Sequence, residues 1–244
     1  MTGPSPNDEA RFQLVSERST LRLAGALLVG GFLLNIVVTL FHPSGNEDDH
    51  RAIFTKYADS DAWVAIHLGQ FVAVLVALAG LLVLYRALQL RGDVPWLPRF
   101  AAGATIATAA TWAVLQALDG VALKQAVDAW TDASGRQKAI RFADAETLRW
   151  LEWGLQSYFR ALLALSFILF GAAIVVTRLL PSWIGWVAVL AGVLSAAIGI
   201  DVGYSGLESG LQDAAGIAFL VAALAFALGI GFTGGRRREP LARD

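Results

Sequence analysis

The chain has 244 residues, 56% hydrophobic and 16% charged, where a soluble domain carries about 25% charged residues. This balance indicates a membrane protein, and a net charge of −1 with no basic, aromatic-interleaved patch gives no sign of a nucleic-acid partner. The absence of cysteine removes disulfides, thiolate nucleophiles, zinc–thiolate sites and iron–sulfur clusters together.

In chain order, residues 1–20 read as a polar tail, disordered or surface-bound. The first spanning helix is predicted over 21–41. It follows Arg18 and Arg22, lacks a small-x-small cleavage site after it, and stops at His42-Pro43-Ser44-Gly45. An acidic loop follows, with Glu47, Asp48, Asp49, Asp59 and Asp61. The second span covers 62–90, with His67 and Gln70 on one face of its entry. After a short basic turn the third span covers 100–123, with Gln116 and Asp119 on one side of its far end. The long connection that follows breaks at Thr131-Asp132-Ala133-Ser134-Gly135, and Gln137 to Arg149 has the pattern of an amphipathic helix leading into the fourth span, 152–176. This connection is predicted to form an external helical cap between the third and fourth helices. The fifth span covers 183–200 and ends at Asp201, with Gly185, Gly192 and Gly199 repeating every seven residues. Such a face admits close approach of another helix, from a second copy of the chain or a membrane-complex partner. The sixth span covers 211–232, and 233–244 is a basic tail suited to anionic inner-leaflet lipid.

The fold class is therefore all-α and integral to the membrane, six helices in one bundle domain (21–232). Six crossings put both termini on one side, and the excess of arginine there makes that side cytoplasmic, in a bacterial inner (plasma) membrane. No internal repeat supports an inverted-repeat transporter.

The polar groups near the membrane are lopsided. With this topology His42, His67, Gln70, Gln116, Asp119, Glu152, Gln156, Arg160 and Asp201 all fall at outer helix ends. Arg149, Glu152, Gln156 and Arg160 share one face of the fourth helix. An outward-facing polar pocket is expected, taking a small polar ligand. Arg160 would anchor an anionic group, and Asp119, Glu152 or Asp201 would pair with it, because an arginine in hydrocarbon needs a partner. A salt-bridge network that only fixes helix packing explains the same residues. His42, His50 and His67, with Asp48 and Asp49 beside His50, have the chemistry of a divalent-metal site such as zinc, although their spacing matches no compact motif. There is no P-loop, no G-x-S-x-G elbow and no lysine in the sixth span.

The entry Arg22-Leu23-Ala24-Gly25-Ala26-Leu27, the loop after the first span, and Leu180-Pro181-Ser182-Trp183-Ile184-Gly185-Trp186 resemble the bacterial integral membrane proteins grouped as domain of unknown function 4386. The stretches Asp119 to Lys124 and Arg149 to Gly154 resemble an actinobacterial-looking branch of them. The resemblance implies about six membrane helices and supplies no reaction or catalytic residue. The functional expectations are an extracytoplasmic ligand pocket, a metal-dependent membrane hydrolase built on the histidines, or an accessory subunit of a membrane complex.

Overall fold

A backbone in hydrocarbon must satisfy its own N–H and C=O groups, so apolar runs of this length fold as helices. The computed structural model describes residues 6–89 and 96–235, and no strand occurs among them. The helices are α1 Pro6–Thr39, α2 His50–Ala58, α3 Trp63–Gln89, α4 Trp96–Ala117, α5 Lys124–Asp132, α6 Gly135–Thr177, α7 Ser182–Ser205 and α8 Gly210–Gly235, and a π-helical segment, Leu118–Leu123, joins α4 to α5. Among the described residues six segments are long and apolar enough to cross a membrane: Glu17–Thr39, Trp63–Gln89, Trp96–Asp132, Gly135–Thr177, Ser182–Ser205 and Gly210–Gly234. This is the pattern of a multi-pass membrane protein.

The boundaries differ from the predicted spans for local reasons. α1 begins at Pro6 rather than Leu21, because no glycine or proline interrupts residues 7–20 and proline is tolerated in a first helical turn. Pro98 is likewise accommodated in the first turn of α4. The acidic loop contains α2, capped by the Asp49 side chain, which accepts from the Ala52 N–H at 3.1 Å. Asp201 lies inside α7 rather than ending it. α6 is one unbroken helix of 43 residues, ended by Arg178 in a left-handed conformation (φ 51°). The basic turn at 91–95 and the Arg236-Arg237-Arg238 run lie outside the described residues.

The six long helices close into a ring. Each packs on its neighbours in the order α1, α3, α4, α6, α7, α8, and α8 returns to α1. Glycines set the close crossings. Gly25 of α1 meets Gly231 of α8, Gly31 and Gly80 bring α1 onto α3, and Gly171 of α6 meets Gly185 of α7. The seven-residue glycine repeat of α7 faces α6 along its length: Gly192 lies against Ala164 and Ile168, and Gly199 against Ser157 and Arg160. Close approach was the correct expectation for this face, and in the structure the helix occupying it belongs to the same chain.

A Cβ at position 192 would stand 2.8 Å from the Ala164 carbonyl, whereas one at Gly103 meets nothing within 4 Å. Gly192→Leu is therefore expected to destabilise the bundle by about 1–3 kcal/mol, and Gly103→Leu to be near neutral. Thermal unfolding of the two variants in the same detergent checks this, and equal melting temperatures would contradict it.

At one end of the ring a smaller helical layer is built by α2, the π segment, α5 and the first turns of α6. Ile53, Phe54, Tyr57, Trp63, Leu123, Val127, Trp130 and Ala145 form its own apolar cluster. The segment between α1 and α2 runs across this end, since Asp48 accepts from the Leu207 N–H at 2.9 Å and the Glu47 N–H donates to Glu208 at 2.8 Å in the α7–α8 turn.

Candidate functional site

Two polar assemblies occupy the layer end of the bundle. The first centres on Arg149 of α6, which is 1% exposed. Its Nη1 donates to Glu152 Oε2 at 2.7 Å, and its Nη2 donates to the Glu47 carboxylate at 2.5 Å and to the Glu47 carbonyl at 3.0 Å. The guanidinium carbon stands 5.6 Å from the centre of the Tyr57 ring, and the Tyr57 hydroxyl donates to the same Glu47 carboxylate. Burial pushes the Tyr57 phenol well above its ordinary value, so the hydroxyl stays protonated and remains a donor. Both carboxylates thus share the one guanidinium, and the arrangement ties the first loop and α2 to α6.

The second assembly joins α3 to the π segment. The widened turn carries Asp119 toward α3: its carbonyl accepts from Trp63 Nε1 at 3.0 Å, and its Oδ2 lies 3.0 Å from His67 Nε2. Gly120 makes this approach possible, because a Cβ there would stand 2.6 Å from the His67 Cβ. His67 Nδ1 lies 2.8 Å from the Trp63 carbonyl, so both ring nitrogens face acceptors and one exchangeable proton sits between His67 and Asp119. The His42 ring packs on Trp63 (5.0 Å between centres) and on His67 (5.3 Å), with Nδ1 2.9 Å from the Pro43 carbonyl.

Burial, reinforced by His67, holds the His42 pKa below its ordinary 6.5. The unfolded chain therefore takes up this proton before the folded one. The contribution to stability is complete above the unfolded value and is lost as pH falls through the folded one. The melting temperature in detergent is expected to fall between about pH 7 and pH 5, and less steeply for His42→Asn. Identical slopes for the two proteins would show that His42 is not responsible.

Below these assemblies, inside the ring, lies a cavity of 530 Å³ bounded by α1, α3, α4, α6 and α8. On each helix its polar residues, Asn35, Thr39, Gln70, Gln156 and Arg160, lie nearer the layer than the apolar Leu28, Leu78, Leu81, Leu163 and Phe167. Among the described residues no carboxylate lines it. Arg160 forms no ion pair among the described residues. Its Nε has no hydrogen-bond partner there, and its guanidinium carbon lies 5.7 Å from the centre of the Phe219 ring. α7 fixes its backbone: Ser195 Oγ donates to the Arg160 carbonyl at 2.9 Å, Ser157 Oγ donates to the Gly199 carbonyl at 2.7 Å, and Gly199 abuts the Arg160 Cβ.

The residues expected in one pocket are thus divided. Gln70, Gln156 and Arg160 do share the cavity. The acids expected to pair with Arg160 are engaged elsewhere: Asp119 with His67, Glu152 with Arg149, and Asp201 with Ser209 and, at 2.8 Å, Gln212. Gln116 lies with His67 along a shallow apolar groove of 290 Å³ between α3 and the end of α4. His50 lies 3.1 Å from Glu146 and lines a separate surface recess with Asp48, Asp49 and Arg51. Among the described residues no group of three or more histidine and acidic side chains is placed to hold one metal ion. Sequence reasoning missed Glu47 and Tyr57. The signal available was the Ile53, Phe54, Tyr57 spacing, a helical apolar face inside an otherwise acidic loop.

No family model, curated protein or solved structure matches the chain.

Proposed function

We propose that the protein is a bacterial inner-membrane protein, with both termini cytoplasmic and the helical layer outside, that takes up a small acidic molecule in its central cavity. The observation that carries this is Arg160, a cation on the wall of a carboxylate-free cavity, with no charge partner among the described residues. An unpaired arginine at the centre of a membrane helix costs roughly 2.5–3.5 kcal/mol on insertion scales and less toward its end, and an anionic ligand group offsets that cost through a charge-assisted pair. The orientation is supported by the sequence count of basic residues, eleven on the side of the termini (Arg11, Arg18, Arg22, Arg86, Arg91, Arg99, Arg178, Arg236, Arg237, Arg238 and Arg243) against seven on the side of the layer (Arg51, Lys56, Lys124, Arg136, Lys138, Arg141 and Arg149). α6, whose 43 residues make about 65 Å of helix, extends well beyond a hydrocarbon core of about 30 Å. The first half of α6 then projects with the layer. The Arg149 assembly, whose one guanidinium already binds two carboxylates, is assigned to holding that layer on the bundle.

The test is a thermal-shift comparison of octanoate with octanamide, which differ in charge and little in size. Octanoate is expected to raise the melting temperature and octanamide to leave it unchanged. Equal shifts from the two, and from matched acid and neutral pairs of phosphate and sulfonate type, would refute the reading.

A further inference from the structure

The cavity is amphipathic along its length, and its shape narrows the ligand class. On α1 it runs from Leu28 to Thr39, about 16 Å of helix. On α3 and α6 the polar Gln70, Gln156 and Arg160 give way to Leu81 and Phe167 over a similar rise. A volume of 530 Å³ holds about 17 non-hydrogen atoms at roughly 30 Å³ each. That suits one acyl chain with a compact acidic head.

The route to it is lateral. At the end away from the layer, α1 and α8 are locked together, with Gly25 on Gly231 and Gly234 against Arg22. Toward the layer the same two helices border the cavity instead, through Ile36 and Leu40 on one side and Gly216 and Leu220 on the other. A Cβ on Gly216 would meet nothing within 4 Å, and Leu40 is 77% exposed. The end of the ring itself is crossed by the Glu47–Asp48 segment, tied to α6 and to the α7–α8 turn. We infer that the ligand is a single-chain lipid anion of the fatty-acid type, which enters from the extracytoplasmic leaflet between α1 and α8, places its acidic head at Arg160 and runs its chain toward Phe167.

This rests on the anion reading above, and its test separates the two. Hexanoate and dodecanoate are titrated against the full chain in nanodiscs of zwitterionic lipid, with affinities expressed on free aqueous concentration. Dodecanoate is expected to bind at least ~100-fold tighter, as six further buried methylenes allow, and dodecanol to bind far more weakly than dodecanoate. Gly216→Phe, which fills the mouth, is expected to slow dodecanoate association and dissociation alike by about tenfold, a barrier higher by about 1.4 kcal/mol, and to leave its equilibrium affinity unchanged. Should that variant fail to fold, chain-brominated dodecanoate supplies the second readout: it quenches Trp112, on the cavity wall, in wild type, and the quenched fraction falls in Trp112→Phe. Acids that beat their neutral isosteres with no gain from chain length, or an absence of Trp112 quenching, would overturn the lipid assignment and leave the anion site standing. No preference for the acid at any chain length would overturn both.

Discussion

Arg149→Ala is expected to lower stability by about 3–5 kcal/mol, more than any other single substitution proposed for this protein. The guanidinium sits between two carboxylates in a place with almost no water, and removing it leaves Glu47 and Glu152 facing one another without a counter-charge. Glu47 also receives the Tyr57 hydroxyl, so its loss of position propagates into α2 and the aromatic cluster beneath it. The loss belongs to the imbalance rather than to the pair as such. A triple variant, Arg149→Met with Glu47→Gln and Glu152→Gln, is expected to recover most of the stability, since a buried ion pair exchanged for neutral groups of similar volume is often near neutral. Chemical unfolding in one detergent measures both. A single variant costing less than about 1 kcal/mol would place this assembly at the level of a solvated surface pair.

Arg160 is expected to behave in the opposite way, although it lies on the same face of the same helix. Arg160→Met keeps the length of the side chain and removes a charge that no described residue matches. The variant is expected to be at least as stable as wild type, while its affinity for octanoate falls by about 10- to 100-fold, the range of a hydrogen bond to a charged group. Arg160→Lys keeps the charge, loses the two-pronged donor geometry and is expected to fall between them. A large loss of stability in Arg160→Met would mean that the guanidinium holds the bundle together, and the binding role would fall with it. The contrast between Arg149 and Arg160 is the sharper test, because sequence position alone treats the two as one stripe.

That stripe illustrates how much of the site the sequence makes legible. Helical periodicity puts Arg149, Glu152, Gln156 and Arg160 on one face, and the structure keeps them on one continuous path from the layer into the cavity. Periodicity cannot say which acid turns to which arginine. Glu152 is three residues from Arg149 and pairs within its own turn, whereas none of the three acids expected for Arg160, Asp119, Glu152 or Asp201, turns to it. The six apolar runs were legible because the bilayer imposes both their length and their helical form. α2 was hidden because charged residues dominate its loop, while its three buried residues are spaced for a helix. The π segment was illegible in principle. One extra residue in a turn leaves no compositional mark, and it moves the Asp119 side chain from the expected pocket to His67. The seven-residue glycine repeat correctly signalled close packing, and only the fold could name α6 as its partner.

The most direct measurement is an experimental density map of the protein in lipid nanodiscs with dodecanoate. Elongated density is expected between α1, α3, α6 and α8, with its head within about 3 Å of the Arg160 guanidinium and its tail toward Phe167. A map in which Arg160 pairs with Glu152 or Asp119, or in which side chains close the cavity, would contradict the binding role of Arg160.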